Sequence, residues 1–129
     1  MSHGGRGRLA LLAIVLLVAM GCAAKKVYRE GTATISGRAG ELIIVELASN
    51  PTTGYSWMVT GQPDPTVATL METDYQTSPS TTLGLGGGYQ RWTFRLVAPG
   101  TSTIVFSYGR TWENAPAQNA TMFTVTVRR

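Results

Sequence analysis

Histidine and cysteine are almost missing from this chain: its 129 residues hold one of each, His3 and Cys22. Both lie within or ahead of an apolar run near the N-terminus, so a domain that begins after the run contains neither. Nucleophilic catalysis by a Ser-His-Asp or Cys-His group is thereby excluded from that domain, as is zinc held by imidazole or thiolate. A single Cys also excludes an internal disulfide. No amphipathic helical period and no internal repeat is visible. What remains is a composition of 43% hydrophobic, 14% charged and 9% aromatic residues, which is that of a folded chain rather than a disordered one. A binding or inhibitory module is the class these absences favour, with no cofactor or metal expected.

Arg6 and Arg8 precede the apolar stretch Leu9 to Met20, and small residues follow it. A basic flank, a short apolar centre and small residues form a secretory signal. The stretch falls short of the roughly 20 residues a bilayer-crossing helix needs. Ala19-Met20-Gly21-Cys22 resembles a bacterial lipoprotein processing site, at which Cys22 would become the lipidated first residue. An ordinary cleaved signal and an uncleaved anchor are the alternatives. The expected organisation is a signal peptide over residues 1–21, a lipidated N-terminus and polar tether over 22–30, and one domain over 31–129. Localisation would be the bacterial cell envelope, on its periplasmic or outer face, with the anchor in the membrane. Removal of residues 1–21 takes away two arginines and leaves 9 basic against 7 acidic side chains. The pairs Lys25-Lys26 and Arg128-Arg129 then read as solvated termini rather than as a nucleic-acid surface.

Period-two alternation dominates the rest. Strands are expected at Thr32–Ser36, Glu41–Leu47, Tyr55–Thr60, Thr66–Thr73, Gln90–Val97, Thr101–Tyr108 and Thr121–Val127. In the fifth, Trp92, Phe94 and Leu96 alternate with Arg91, Thr93 and Arg95; Ile104, Phe106 and Tyr108 share a face of the sixth, and Phe123 and Val125 turn inward in the last. About seven short strands without intervening helices indicate an all-β, immunoglobulin-like antiparallel β-sandwich. Met58, Met71 and Met122 are expected as core filling.

Three segments resist the strand pattern: residues 50–54, 73–88 and 109–120. In this strand order they are loops at one end of the sandwich, where a single binding surface can form. In Asn50-Pro51-Thr52-Thr53-Gly54-Tyr55, Pro51 restricts itself and its predecessor, while Gly54 permits a positive φ on the way into the next strand. A stiff loop tipped by two hydroxyl side chains is the result. The second segment carries Gly84-Leu85-Gly86-Gly87; with no helix pattern and no Lys-Ser/Thr pair behind it, nucleotide binding is excluded. Arg110-Thr111-Trp112 opens the third, and Trp and Arg are the residue types enriched at binding hot spots.

Taken in order, these three motifs resemble the chagasin family of cysteine-peptidase inhibitors, over roughly Gly31 to Val127. Thr111 stands where that family usually has Pro. The resemblance implies a reversible, competitive inhibitor of papain-like cysteine peptidases, monomeric, with three loops wedged into the active-site cleft. It places Asn50, Pro51, Thr52, Thr53, Gly54 and Tyr55 over the target's Cys–His pair, with Thr52 and Thr53 near the thiol. Gly84, Gly86 and Gly87 would lie along one side of the cleft, and Arg110 and Trp112 would pack on the other. Two alternatives stay open. One is an envelope lipoprotein of the same fold that binds a non-peptidase protein. The other is a carboxylate-pair enzyme, for which seven scattered acidic residues offer little.

Overall fold

Strands that turn an apolar side chain inward at every second residue must bury that face against a second layer. The computed structural model describes residues 25–78, 87–110, 112–113 and 119–129. They form β1 (Lys26–Arg29), β2 (Thr34–Arg38), β3 (Leu42–Ser49), β4 (Ser56–Gly61), β5 (Ala68–Thr77), β6 (Gly88–Leu96), β7 (Gly100–Gly109) and β8 (Asn119–Arg128), with one 3₁₀ turn at Pro51–Thr53. One sheet runs β1-β3-β6-β5 and the other β2-β8-β7-β4. The two N-terminal strands add in parallel, β1 on β3 and β2 on β8, and the remaining pairings are antiparallel.

The expected inward residues are the ones that meet. Val45, Leu47, Trp92, Phe94 and Leu96 from one sheet pack with Ile35, Ile104, Phe106, Phe123 and Val125 from the other. Trp92 crosses between layers to tilt against Phe106 at 4.6 Å, and Phe106 meets Phe123 edge-on at 5.8 Å. Burial of each such side chain stabilises the fold by about 2 kcal/mol. Every strand and every core side chain among the described residues lies between Lys26 and Arg128.

Among the described residues there are eight strands rather than seven. Lys-Val-Tyr-Arg in β1, within the expected tether, has no apolar alternation to reveal it; what holds it is pairing with β3 and charge. Arg29, Glu46, Arg91 and Asp74 are successive register partners across the whole sheet. Glu46, only 11% accessible, is bonded by Arg29 Nε at 2.8 Å and lies 3.3 Å from Arg91 Nε. The far half of β5 is likewise strand where a loop was expected, because Glu72 to Thr77 are exposed yet paired with β6. The methionines correct the expectation of core filling: Met71 is 50% exposed at a register shift in β5, and Met122 is 57% exposed. Met122 alternates with the buried Phe123, so it faces solvent.

The registers also define two ends. Ser49 pairs with Gly88, Gly88 with Thr77, Ser56 with Gly109 and Tyr108 with Asn119, so the three loops leave from one end. At the opposite end lie the start of β1 and the ends of β2 and β8.

Candidate functional site

The first loop is held by its own side chains. Asn50 Oδ1 accepts hydrogen bonds from Thr52 N at 3.2 Å and Thr52 Oγ1 at 2.6 Å. Thr53 Oγ1 donates to Asn50 O at 2.7 Å and accepts from Tyr55 N at 3.3 Å. Pro51 opens the 3₁₀ turn these bonds enclose. An Asx turn of this kind replaces the freedom of a polar loop with one conformation. Both hydroxyls expected at the tip therefore serve the loop itself. Gly54 follows at φ 86°, in the left-handed region that favours glycine.

Arg110, at the end of β7, ties the third loop to the first. Its Nη1 donates to Glu113 Oε1 at 2.8 Å, its Nε donates to Thr53 O at 3.3 Å, and its guanidinium carbon sits 4.3 Å from the centre of the Tyr55 ring. The hydrogen bond to Glu113 holds the Arg110 pKa above its ordinary value, so this group is a permanent cation. Beneath it, Tyr55 stacks on Tyr108 at 5.6 Å, and Tyr108 tilts against Trp57 at 5.0 Å. A column of Arg110, Tyr55, Tyr108 and Trp57 thus runs from the loop surface into the core. Trp112 packs so closely on Gly54 that a Cβ there would fall 2.5 Å from Trp112 Cη2. The indole nevertheless remains 68% exposed.

Trp57 anchors the base of the site across both sheets. Its Nε1 donates to Ala48 O at 2.9 Å, while the Gln90 side chain accepts from Trp57 N at 2.7 Å and donates to Trp57 O at 3.1 Å. The Gln90 amide thereby occupies backbone groups on the outer edge of β4, where no strand follows. A concavity of about 390 Å³ lies beside it, lined by Trp57, Thr73, Asp74, Tyr75, Gln90 and Trp92.

Of the expected contact residues, the structure brings Asn50, Thr52, Thr53, Gly54, Tyr55, Arg110 and Trp112 together. Gly87 stands at the stem of the second loop, accepting from Ser78 N at 3.0 Å. Gly84 and Gly86 lie outside the described residues, as do Cys22 and Thr111. Gln90, Tyr108 and Glu113 support the site although the sequence analysis names none of them as a contact residue. Only Glu113, three residues beyond Arg110, had a local signal. Among the described residues, no group of three or more His, Cys, Asp or Glu side chains could hold a metal.

A chain with this fold and these loops has relatives. Residues 36–127 match the family model described as chagasin family peptidase inhibitor I42. Chagasin of Trypanosoma cruzi is 34% identical over 97 residues, covering 72% of this chain and 86% of that one. Among solved structures, the cysteine protease inhibitor EhICP2 of Entamoeba histolytica shares the fold at TM-score 0.69 and 23% identity, over 80% of this chain and 95% of the other. Amebosin superposes at TM-score 0.59 with 29% identity, over 82% and 98% of the two chains. PbICP-C, determined in complex with falcipain-2, gives TM-score 0.53 at 25% identity, over 84% and 95%. With the family match running from β2 to β8, and chagasin similar along most of both chains, this protein belongs to the chagasin family of peptidase inhibitors.

Proposed function

We propose that this protein is a reversible, competitive inhibitor of papain-family cysteine peptidases, and that its loop end enters the active-site cleft. The observation that carries this reading is the union of a self-bonded Asn50–Tyr55 loop with an exposed Trp112 packed on Gly54. A loop already held in one conformation loses little entropy on docking, so more of its contact energy appears as affinity. In this reading residues 50–55 cover the catalytic Cys–His pair, the backbone of Gly84, Gly86 and Gly87 lines one side of the cleft, and Arg110 and Trp112 line the other. No covalent bond forms in this reading, since the loops cover the target's thiol without presenting a substrate-like carbonyl to it, and the domain has no Cys with which to form a mixed disulfide. The protein acts as a monomer.

Titration of papain and a cathepsin L-type enzyme with a soluble form beginning at Lys25 tests this. Tight inhibition that is relieved as substrate concentration rises, as competition requires, is the expected result. A folded domain that leaves several papain-like enzymes untouched at tens of micromolar would overturn it.

Placement at the cell envelope through a lipid on Cys22 belongs to the same proposal, and its support is the residue 6–24 pattern. Only Ala23, Ala24 and Lys25 separate Cys22 from β1, and β1 starts at the end opposite the loops. The anchor would therefore leave the loop end pointing away from the bilayer. Cys22→Ser should move the protein from the membrane fraction of an expressing bacterium and abolish labelling by a radioactive fatty acid. Unchanged labelling would exclude Cys22 as the lipid site.

A further inference from the structure

Two pairs of basic residues at opposite ends of the sequence converge in space. β1 begins beside the start of β3, while β2 and β8 run in parallel and finish together at that same end. The pole opposite the loops therefore gathers Lys25, Lys26, Arg38, Arg95, Arg128 and Arg129, drawn from both sheets. All six are exposed. None makes an ion pair with a described residue, in contrast to Arg29, Arg91 and Arg110. Arg38 and Arg128 are direct register partners, an arrangement of like charges that opposes folding.

Acidic side chains at this pole are two, Glu41 and Asp64. The Glu41 carboxylate accepts from Arg38 N at 2.5 Å, and the Asp64 carboxylate from Thr66 N and Thr66 Oγ1 at 2.9 and 2.7 Å. Six cations against two anions leave a side-chain charge of +4 there. The rest of residues 25–129 carries Arg29, Arg91 and Arg110 against Glu30, Glu46, Glu72, Asp74 and Glu113, a charge of −2. A modest net charge thus conceals a polarised molecule, positive where the N-terminal segment attaches and negative over the remainder.

We propose that this basic pole is a docking surface for an anionic phospholipid bilayer, which it meets end-on with the inhibitory loops facing outward. A bilayer is the occupant that fits. The charges spread across the end of both sheets, as a flat anionic surface requires and a single bound anion does not. The pole also coincides with the point where the chain emerges from its apolar N-terminal segment. Each exposed Lys or Arg near an anionic membrane adds about a fivefold gain in partitioning at moderate salt. The proposal goes beyond inhibition and does not depend on it.

The test uses residues 25–129, which hold every described strand and no lipid, with folding checked by a cooperative thermal transition. Binding to vesicles of phosphatidylcholine with about one-third phosphatidylglycerol is measured by flotation, against phosphatidylcholine alone. Binding only to the anionic vesicles is expected, and it should fall steeply as salt rises. Arg38→Gln with Arg128→Gln should weaken it about 25-fold, with the thermal midpoint unchanged or raised because two like charges are removed. Peptidase inhibition by that variant should equal the parent's, since the loops lie at the other end. Failure of inhibition alone would leave the vesicle result intact, so the two readings are separable.

Equal binding to neutral vesicles, or none to anionic ones, would overturn the proposal. So would a preference for RNA over vesicles at matched charge, which would assign the pole to nucleic acid. Brominated lipids should not quench the exposed Trp112. Quenching would show the loop end entering the bilayer, also overturning the proposed orientation.

Discussion

Replacing Trp112 by Ala should raise the inhibition constant against papain about thirtyfold or more, while the thermal midpoint barely moves. The two halves of this expectation have different physical sources. Trp112 is 68% exposed, so the fold gains little from it, and surface truncations of that kind usually change stability by under about 0.5 kcal/mol. An indole held in water beside a fixed guanidinium gains its energy when a partner covers it, and truncating such a hot spot costs about 2 kcal/mol or more. Inhibition constants from competitive kinetics, paired with thermal unfolding of both proteins, give the result. An unchanged constant would mean that Trp112 stays in solvent in the complex and that the cleft is filled by the other loops.

Gly54→Ala should damage the same surface from beneath. At φ 86° an Ala must adopt the left-handed region, at a cost of about 1–2 kcal/mol. Its Cβ would also stand 2.5 Å from Trp112 Cη2 and 3.0 Å from Cζ2, closer than atoms pack. Either the backbone turns over or the indole leaves, and both outcomes separate the first loop from the third. The expected result is a loss of about 1–2 kcal/mol in stability together with inhibition weakened about tenfold or more. Placing Gly54→Ala on top of Trp112→Ala separates the causes. If the glycine matters through the indole, the second substitution adds little to the loss of inhibition; additive losses would show that the loop conformation itself is what the enzyme reads.

The column of Arg110, Tyr55, Tyr108 and Trp57 explains why these two positions can carry such effects. Loops are ordinarily the mobile part of a sandwich. Here the Arg110 guanidinium is bonded to Glu113 and to Thr53 O and lies over Tyr55, and the stack beneath continues into a Trp bonded across both sheets.

Much of this molecule was already decided by local pattern. Alternation from Gln90 to Val97 and from Thr101 to Tyr108 determined which side chains turn inward, because a pleated strand gives a side chain only two directions. Absence of His and Cys beyond residue 22 excluded thiol and imidazole chemistry from the domain outright. The composition of residues 50–55 marked them as a connection between strands, and Gly54 as the residue with a positive φ. Tertiary structure decided what has no local period. It turned Lys26–Arg29 into a strand, through pairing with β3 and two arginines around Glu46. It put the Gln90 amide on the free edge of β4 and set Tyr55 between Arg110 and Tyr108. Finally, it folded Lys25-Lys26 and Arg128-Arg129, which read as solvated termini, onto one pole beside Arg38 and Arg95. Parallel pairing of β2 with β8 is the reason: strand direction is set by which edges remain open once the core has closed, and no stretch of sequence near either terminus contains that information.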